Sequence, residues 1–259
     1  MKTKSLGFIG GGRITRILLQ GFKQNGLVFS RIVVAETNQS VINALKHKFP
    51  EIKIDDGDLR ETMQNDIVFI ALHPPMVMEI LPKIRALLGM DTLLVSLAPK
   101  ITLEKMRGLL EGFGNIARMN PSAASIVNRG VNPVVFADQV PPAYRNSFLE
   151  IMHPLGQTPE IAEQKMEAYA VINAMGPTYF FFQLQQLKKL ATGFGMDEDE
   201  TNKVLSEMIC GTADTLFHSG LDYIQVDDLI PVKPLSEVED TIKSFYEKYL
   251  SGIYEKIKP

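Results

Sequence analysis

The sequence contains little cysteine and little histidine. Its one cysteine, Cys210, excludes a disulfide within the chain and favours the reducing cytoplasm. The residues around Cys210 follow an apolar helical pattern without a nearby histidine, which predicts a buried structural thiol rather than a nucleophile. The four histidines are scattered at spacings that metal sites do not use. We therefore expect neither a disulfide nor a metal centre.

The sequence also lacks long apolar runs and a strong excess of charge. No apolar run reaches the roughly 18 residues that a membrane span needs. The formal net charge is −3 and the pI is about 5.9, which argues against nucleic acid or an anionic membrane surface as the main partner. Lys2 and Lys4 precede a strand and glycines rather than a signal-peptide core. These features favour a cytoplasmic protein with a small-molecule ligand.

The most informative segment that is present is a glycine cluster near the amino terminus. A predicted strand over 5–9 leads into Gly10, Gly11 and Gly12, and a helix with apolar residues along one stripe follows. A strand, a glycine turn and a helix together offer backbone N–H groups and a helix amino terminus to a pyrophosphate. The segment therefore predicts a dinucleotide-binding site, although a glycine cluster alone also occurs in plain turns.

Two further residues bear on this prediction. Thr15 takes the third small position of the G-x-G-x-x-G/A pattern, where it is bulkier than glycine or alanine. Glu36 follows the second predicted strand, about 24 residues after Gly12. A carboxylate there can accept a hydrogen bond from the ribose 2′-OH of NAD and would repel the 2′-phosphate of NADP. Glu36 therefore favours NAD, with a solvated surface glutamate as the alternative.

Strand and helix signals alternate through the first part of the chain. The predicted strands are 5–9, 31–35, 66–72, 92–97, 115–118 and 132–136, and the predicted helices are 13–25, 38–48, 76–88 and 102–112. Asn38 and Thr102 are suited to cap two of these helices. Apolar strands that alternate with amphipathic helices predict an α/β fold with a Rossmann-type doubly wound parallel sheet.

The loops that follow the central strands are candidate ligand contacts. His73 comes directly after a buried strand and precedes two prolines, and Ala98 follows the next strand. In a doubly wound sheet, loops at the carboxyl ends of strands line the ligand crevice. His73 is thus a candidate for contact with a cofactor or for proton donation, and an ordinary loop residue is the alternative.

The second part of the chain has a helical pattern. The predicted helices are 162–175, 179–193, 198–218 and 236–254, with a break at Gly176-Pro177. We therefore predict a dinucleotide-binding domain over 1–157 and an all-α domain over 158–259. Aromatic residues surround the helix that starts near Tyr179, which predicts burial on all sides. An interface between subunits would supply that burial, and packing against the first domain is the alternative.

Five segments, in order over about residues 6–220, resemble the pyrroline-5-carboxylate reductase family, the last enzymes of proline synthesis. Residues 8–14 look like the family's F-I-G-x-G-N-M loop, 71–74 like A-V-K-P, and 96–102 like S-I-A-A-G-I-T. Residues 118–130 have the length of R-x-M-P-N-x-P-x-x-x-x-x-G, and 167–179 look like D-A-V-T-A-L-S-G-S-G-P-A-Y. The last two segments are the more specific ones.

The resemblance implies a dinucleotide-binding domain followed by an all-helical domain through which subunits form a homodimer, with further assembly left open. It implies hydride transfer from NAD(P)H to the C=N carbon of a cyclic imino acid. The glycine segment, Glu36 and the resemblance together assign cofactor contacts to Phe8, Ile9, Gly10, Gly11, Gly12, Arg13, Ile14, Glu36, Ala71, Leu72, His73, Pro74, Ala98, Asn120 and Ser122. The resemblance places the substrate carboxylate at Asn173, Ala174, Met175, Gly176, Pro177 and Thr178.

Three departures from the family pattern affect the predicted site. Ser122 stands where the family has asparagine, and Met175 occupies a slot for a small residue. The family's late P-G-G-T-T loop, which supplies a threonine beside the substrate, is not found, and residues 227–235 there carry no hydroxyl. Lys233 in that loop is expected to be a solvated surface lysine.

The sequence leaves three functional hypotheses. The first is a reductase of a small cyclic imino acid, with His73, Asn173 and Thr178 as candidate catalytic residues. The second is a protein that binds a nicotinamide cofactor but has lost catalysis and acts as a sensor or partner module. The third is an enzyme of the same fold with another hydride carrier, such as a deazaflavin. Hydride transfer needs orientation and a water-poor pocket more than a nucleophile, so the lack of a catalytic triad excludes none of them.

Overall fold

The computed structural model describes residues 3–258, which form two compact units. The first unit comprises the described residues up to 174 together with 254–258, and the second comprises 175–253. The predicted boundary at 157/158 lies earlier in the chain. The difference arises because residues 156–174 bond to the first unit: β-bridges and hydrogen bonds join 156–161 to 130–134, and Asn173 donates to Val131.

The first unit is built on a seven-stranded sheet. Its strands, with a separate pair, are β1 Ser5–Ile9, β2 Arg31–Ala35, β3 Lys53–Asp55, β4 Ile67–Ile70, β5 Leu93–Ser96, β6 Ile116–Met119, β7 Gly130–Val131, β8 Val134–Phe136 and β9 Gly156–Gln157. The order is β3-β2-β1-β4-β5-β6-β8, and β7 pairs with β9. All neighbours in the large sheet are parallel except β6 and β8, which have no α-helix between them.

Helices cover the sheet and connect its strands. They are α1 Arg13–Gln24, α2 Gln39–Lys48, α3 Arg60–Met63, α4 Pro74–Ile84, α5 Leu103–Leu109, α6 Pro142–Met152 and α7 Met166–Tyr169, with 3₁₀ turns at Arg85–Leu87, Ala123–Val127, His153–Leu155 and Glu163–Lys165. The predicted caps are confirmed: the Asn38 side chain accepts from the N–H groups of Ser40 and Val41, and Thr102 accepts from Lys105. The Rossmann-type prediction is also confirmed.

Aromatic side chains tie the sheet to the helices. Phe8 and Phe69, on the neighbouring strands β1 and β4, stack with ring centroids 4.9 Å apart. Phe148 of α6 lies 6.1 Å from Phe69 and 5.6 Å from Phe136 of β8. All four rings are buried, and each contributes about 1.5–3 kcal/mol by leaving water. Helix α6 is thus an essential part of the core.

The structure corrects several elements of the sequence prediction. Strands β3, β7 and β9 and helix α6 were not predicted, because the strands span only two or three residues and the α6 sequence lacks a clear apolar stripe. The predicted helix 162–175 is wrong: it is a 3₁₀ turn, the short α7 and a π-helical turn at Ala170–Ala174. Long-range bonds from Glu163, Glu167 and Asn173 hold this irregular path.

The second unit consists of helices α8 Pro177–Gly193, α9 Glu198–His218 and α10 Tyr223–Asp228, a 3₁₀ turn at Ser236–Val238 and most of α11 Glu239–Ile257. Asp197 caps α9 by accepting from the N–H of Glu200 at 2.8 Å. No apolar side chain within 175–253 is buried. Cys210 is exposed, so the prediction of a buried thiol is wrong, because the other elements of this unit leave that face of α9 accessible to solvent.

In the described part of the chain, no helix is long and apolar enough to cross a membrane.

Asp55 is the last residue of β3, and the hydrogen bonds of its carboxylate predict that the stability of the fold depends on pH. It accepts hydrogen bonds from the N–H groups of Gly57, Leu59 and Thr62 and from the Thr62 hydroxyl. Burial raises the pKa of Asp55, but these hydrogen bonds outweigh burial and hold the pKa below its usual value.

We therefore expect Asp55 to stabilise the fold at neutral pH and to lose this effect as acid protonates it in the folded state, below about pH 4. Asp55→Asn should lower the free energy of unfolding in urea at pH 7, and the difference from wild type should shrink at pH 3. An equal difference at both pH values would contradict this expectation.

Candidate active site

The site lies where the strand order of the large sheet reverses. Strand β1 pairs with β2 on one side and with β4 on the other, and Ile9 and Ile70 are partners at the ends of β1 and β4. In open α/β sheets a crevice opens at the carboxyl ends of the strands at such a point. Gly10 follows β1 and Ala71 follows β4, so the predicted glycine loop and the predicted Ala71–Pro74 loop meet at this crevice.

The glycine loop requires glycine for two different reasons. Gly10 has a φ of +101°, and a Cβ atom there would lie 2.7 Å from the carbonyl oxygen of Ala71. A Cβ on Gly11 would lie 2.5 Å from a methyl group of Leu45. A Cβ on Gly12, in contrast, would have no atom within 4 Å. Gly12 therefore borders open space, through which a bound ligand can approach the backbone closely.

Helix α1 presents an uncapped amino terminus to this space. Gly12 is the N-cap residue and supplies no side-chain hydrogen bond, so the N–H groups of the first turn remain available. Thr15, buried below the loop, donates from its hydroxyl to the carbonyl oxygen of Gly10 at 2.6 Å. The residue that fits the glycine pattern least well thus fastens the loop to the helix. The arrangement suits a pyrophosphate.

Glu36 lies against the glycine loop. One carboxylate oxygen accepts from the N–H of Gly11 at 3.0 Å, and the other accepts from Thr37 and Asn38 at 2.8 Å each. The side chain is half-buried. The carboxylate is therefore fixed beside the loop, at the end of β2, where an acidic residue can meet a ribose hydroxyl.

The loops after β4 and β5 place further predicted residues at the same edge of the sheet. Ala71 and Leu72 are half-buried, and His73 is exposed at the N-cap of α4, directly before Pro74. No hydrogen bond of the His73 imidazole is present among residues 3–258. Ala98 is buried, and its N–H donates to the Ser96 hydroxyl at 3.3 Å.

The two predicted residues of the loop after β6 differ in their hydrogen bonds. Ser122 is 2% exposed; its hydroxyl accepts from the N–H of Ala124, and its own N–H donates to the side-chain oxygen of Asn132. Ser122 thus shapes the turn and offers a ligand little surface. Asn120 lines a small cavity with Ala98, and its buried Nδ2 has no partner in the described part of the chain.

A buried ion-pair cluster forms part of the wall of this cavity. Arg118, 1% exposed at the end of β6, donates to Glu163 at 2.7 Å and to Glu167 at 2.8 Å. Glu163 also accepts the N–H of Leu103 at the start of α5. Neither glutamate has a local signal in the sequence, because they follow Arg118 by 45 and 49 residues.

The segment predicted to bind the substrate carboxylate spans the two units. In the first unit, the side-chain amide of Asn173 donates to the carbonyl oxygen of Val131 at 2.7 Å. In the second unit, the hydroxyl and the N–H of Thr178 both donate to the carbonyl oxygen of Met175, at 2.6 and 2.9 Å. Gly176 is buried, and Pro177 is the first residue of α8. These side-chain donors thus already have backbone partners.

The region that replaces the family's threonine loop also lies in the second unit. Asp227 lies in the last turn of helix α10 and forms an ion pair with Lys233. The Asp227 carboxylate raises the pKa of Lys233, which remains a cation. Both residues border a cavity of about 540 Å³ with Tyr223, Leu216 and Ile230. Lys233 is exposed, as predicted for a surface lysine, and is paired with Asp227.

Comparison with known proteins agrees with this arrangement. A family model described as NADP oxidoreductase, coenzyme F420-dependent, matches residues 5–100, which contain the glycine loop and β1 to β5. The pyrroline-5-carboxylate reductase of Escherichia coli K12 is 26% identical over 218 residues, which are 84% of this chain and 81% of that protein. The Haemophilus influenzae enzyme of the same name is 23% identical over 217 residues, 82% of this chain and 78% of that protein.

A solved structure extends the similarity to the fold of the whole chain. Plasmodium falciparum pyrroline carboxylate reductase, determined with NADP bound, superposes with a TM-score of 0.84 at 20% identity and covers 100% of this chain and 98% of that one. The sequence similarity covers more than four-fifths of the chain, and the quoted motifs fall on the loops of the site. The chain is thus similar in sequence, over more than four-fifths of its length, to proteins named pyrroline-5-carboxylate reductase, and it shares the fold of one.

Proposed function

We propose that this protein is an NAD(P)H-dependent reductase that transfers a hydride to the C=N carbon of a small cyclic imino acid, as in the last step of proline synthesis in the cytoplasm. The observation that carries the proposal is the glycine loop at the point where the strand order reverses, with open space at Gly12 and an uncapped helix behind it. Similarity to relatives that are named for this reaction supports the substrate class.

The chain's own residues would bind and orient the reactants. The first turn of α1 would hold the pyrophosphate, and the loops with Ala71, Ala98 and Asn120 would face the nicotinamide. The reduced nicotinamide, when bound, supplies the hydride. Backbone N–H groups in 173–178 would receive the substrate carboxylate. A cyclic imine that arrives protonated needs little help from a general acid, and His73 is the candidate donor where one is needed.

The direct test is to mix the purified protein with pyrroline-5-carboxylate and either NADH or NADPH and to follow the loss of absorbance of the reduced cofactor. Oxidation that requires the imino acid is the expected result. Binding of a cofactor without turnover of any cyclic imino acid would contradict the proposal and would favour a protein that has lost catalysis.

A reduced deazaflavin is a second candidate for the hydride carrier. The observation that favours it is the description of the family model over residues 5–100, which names coenzyme F420. The same assay with reduced deazaflavin separates the two proposals. Oxidation of the deazaflavin with weak binding of NADH and NADPH would replace the nicotinamide proposal.

We infer from Glu36 that the protein prefers NADH to NADPH. Its carboxylate is fixed beside the glycine loop by three backbone N–H groups, where it would repel a 2′-phosphate. Glu36→Gln removes the charge and keeps the shape, so we expect it to shift the ratio of kcat/KM values toward NADPH by about tenfold. Steady-state kinetics with both cofactors measures this ratio, and Glu51→Gln on the surface is the control. An unchanged ratio would show that Glu36 does not select the cofactor.

We also propose that the protein forms a homodimer through its carboxyl-terminal helices. Phe180, Phe181 and Phe182 on α8 are exposed by 49%, 58% and 68%, and no apolar side chain within 175–253 is buried. A helical unit with such an exposed apolar surface requires a second apolar surface to pack against it.

We expect light scattering to give the mass of two or more chains for the wild type and of one chain for Phe182→Asp. Met90→Asp, which places the same charge on an exposed apolar position of the first unit, should leave the mass unchanged. A monomeric wild type would refute the dimer.

A further inference from the structure

Two buried hydrogen-bond donors without partners lie at the carboxyl end of β6. They are Nε of Arg118 and Nδ2 of Asn120, and neither has an acceptor in residues 3–258. Residues two apart along a strand point to the same face, and both side chains line the small cavity beside Ala98. A buried donor without a partner is unfavourable, so the side-chain amide of Asn120 fits a ligand that brings an oxygen acceptor.

The backbone of Asn120 is fixed, whereas its side chain is not engaged. Its N–H donates to the carbonyl oxygen of Pro133 at 3.0 Å, but the side-chain amide bonds to no described residue. Asn132, a buried asparagine nearby, also has an Nδ2 without a partner among residues 3–258, but its oxygen accepts from the N–H of Ser122 and from the hydroxyl of Ser125, each at 2.9 Å. Asn132 therefore holds the fold together, while the amide of Asn120 is available to a ligand.

The Arg118 ion pairs join β6 to another part of the cavity wall. Glu167 belongs to α7, and Met166 and Ala170 on either side of it line the same cavity. Arg118 therefore links the strand that carries Asn120 to the segment that closes the cavity.

We propose that Asn120 Nδ2 donates a hydrogen bond to a carbonyl or carboxylate oxygen of a bound ligand, and that Arg118 is a positioning residue that acts through Asn120. This inference rests on the proposed function and names the protein atom that would contact the ligand. The acceptor is either the carboxamide oxygen of the nicotinamide or the carboxylate of the imino acid.

Asn120→Ala tests the donor. We expect about a tenfold increase in the Kd for NADH or in the KM for pyrroline-5-carboxylate, and the constant that changes identifies the acceptor. Because the amide has no partner in the free protein, Tm should not fall, whereas it should fall for Asn132→Ala. If Asn120→Ala leaves both constants within twofold of wild type, or lowers Tm as Asn132→Ala does, the proposal is overturned. A wild type that neither binds NADH nor reduces the imino acid would overturn the proposed function itself.

A double-mutant cycle tests the role of Arg118. Arg118→Lys keeps a positive charge but cannot reach both glutamates, so we expect it to raise the same constant as Asn120→Ala. If Arg118 acts through Asn120, Arg118→Lys should have little further effect in the Asn120→Ala background. Additive losses would overturn the positioning role. If Arg118→Lys does not fold, Glu167→Asp, which shortens one arm of the cluster, takes its place in the cycle.

Discussion

Replacing Gly12 with alanine is expected to leave the fold intact and to weaken binding of the dinucleotide by about 10–100-fold. A Cβ on Gly12 meets no protein atom within 4 Å, so the free protein has room for it. The same methyl group would occupy the space through which the pyrophosphate reaches the first turn of α1. Keeping the phosphates from one of these charge-assisted hydrogen bonds costs about 1.5–3 kcal/mol, and 1.4 kcal/mol is a factor of ten.

The measurement is the Kd for NADH from fluorescence titration, together with Tm. Gly10→Ala is the contrasting variant: it should lower Tm as well, because its φ is +101° and its Cβ would contact the backbone of Ala71. Gly108→Ala in α5 is the matched control, since its Cβ also meets open space but lies away from the loop. It should leave the Kd unchanged and raise stability slightly. Tight binding of NADH by Gly12→Ala would place the cofactor elsewhere.

The second large effect is expected on stability. Arg118→Met should reduce the free energy of unfolding by about 3–5 kcal/mol, because it leaves Glu163 and Glu167 near each other without their shared cation. A loss of this size is a large part of the 5–15 kcal/mol by which a typical domain is stable. Urea unfolding at neutral pH measures it.

The control for this prediction is an ion pair on the surface. Arg60 and Asp58 form a salt bridge at 2.9 Å, but both side chains are more than half exposed. Arg60→Met should therefore cost no more than about 1 kcal/mol. Equal effects of the two variants would mean that the buried cluster contributes no more than a surface pair does.

The cofactor side of the site could be predicted because its signals are local. Gly10, Gly11 and Gly12 are adjacent in sequence, and their conformational requirement follows from the sharp turn between a strand and a helix. The helix caps at Asn38 and Thr102 were predictable for the same reason, since each depends on the next three residues. The role of Thr15 was not, because its hydrogen bond to Gly10 runs back along the chain into a buried space.

On the substrate side, the side-chain contacts could not be predicted from the sequence. Asn173 and Thr178 were expected to face a substrate, yet both side chains donate to backbone carbonyl groups. The helical pattern over 162–175 gave no sign of the π-helical turn, which depends on bonds to residues that are distant in sequence. Resemblance to a family locates such a segment but does not reveal which of its donors are already engaged.

The sequence by itself determined the glycine loop, the alternation of strands and helices and the family resemblance, because these depend on neighbouring residues and on periodicity. Only the tertiary structure decided that β1 and β4 adjoin where the strand order reverses, that Glu36 lies against Gly11, and that Arg118 joins two glutamates behind Asn120. Contacts between residues tens of positions apart leave no local pattern, and they arise only when burial of the core fixes which strands and loops come together.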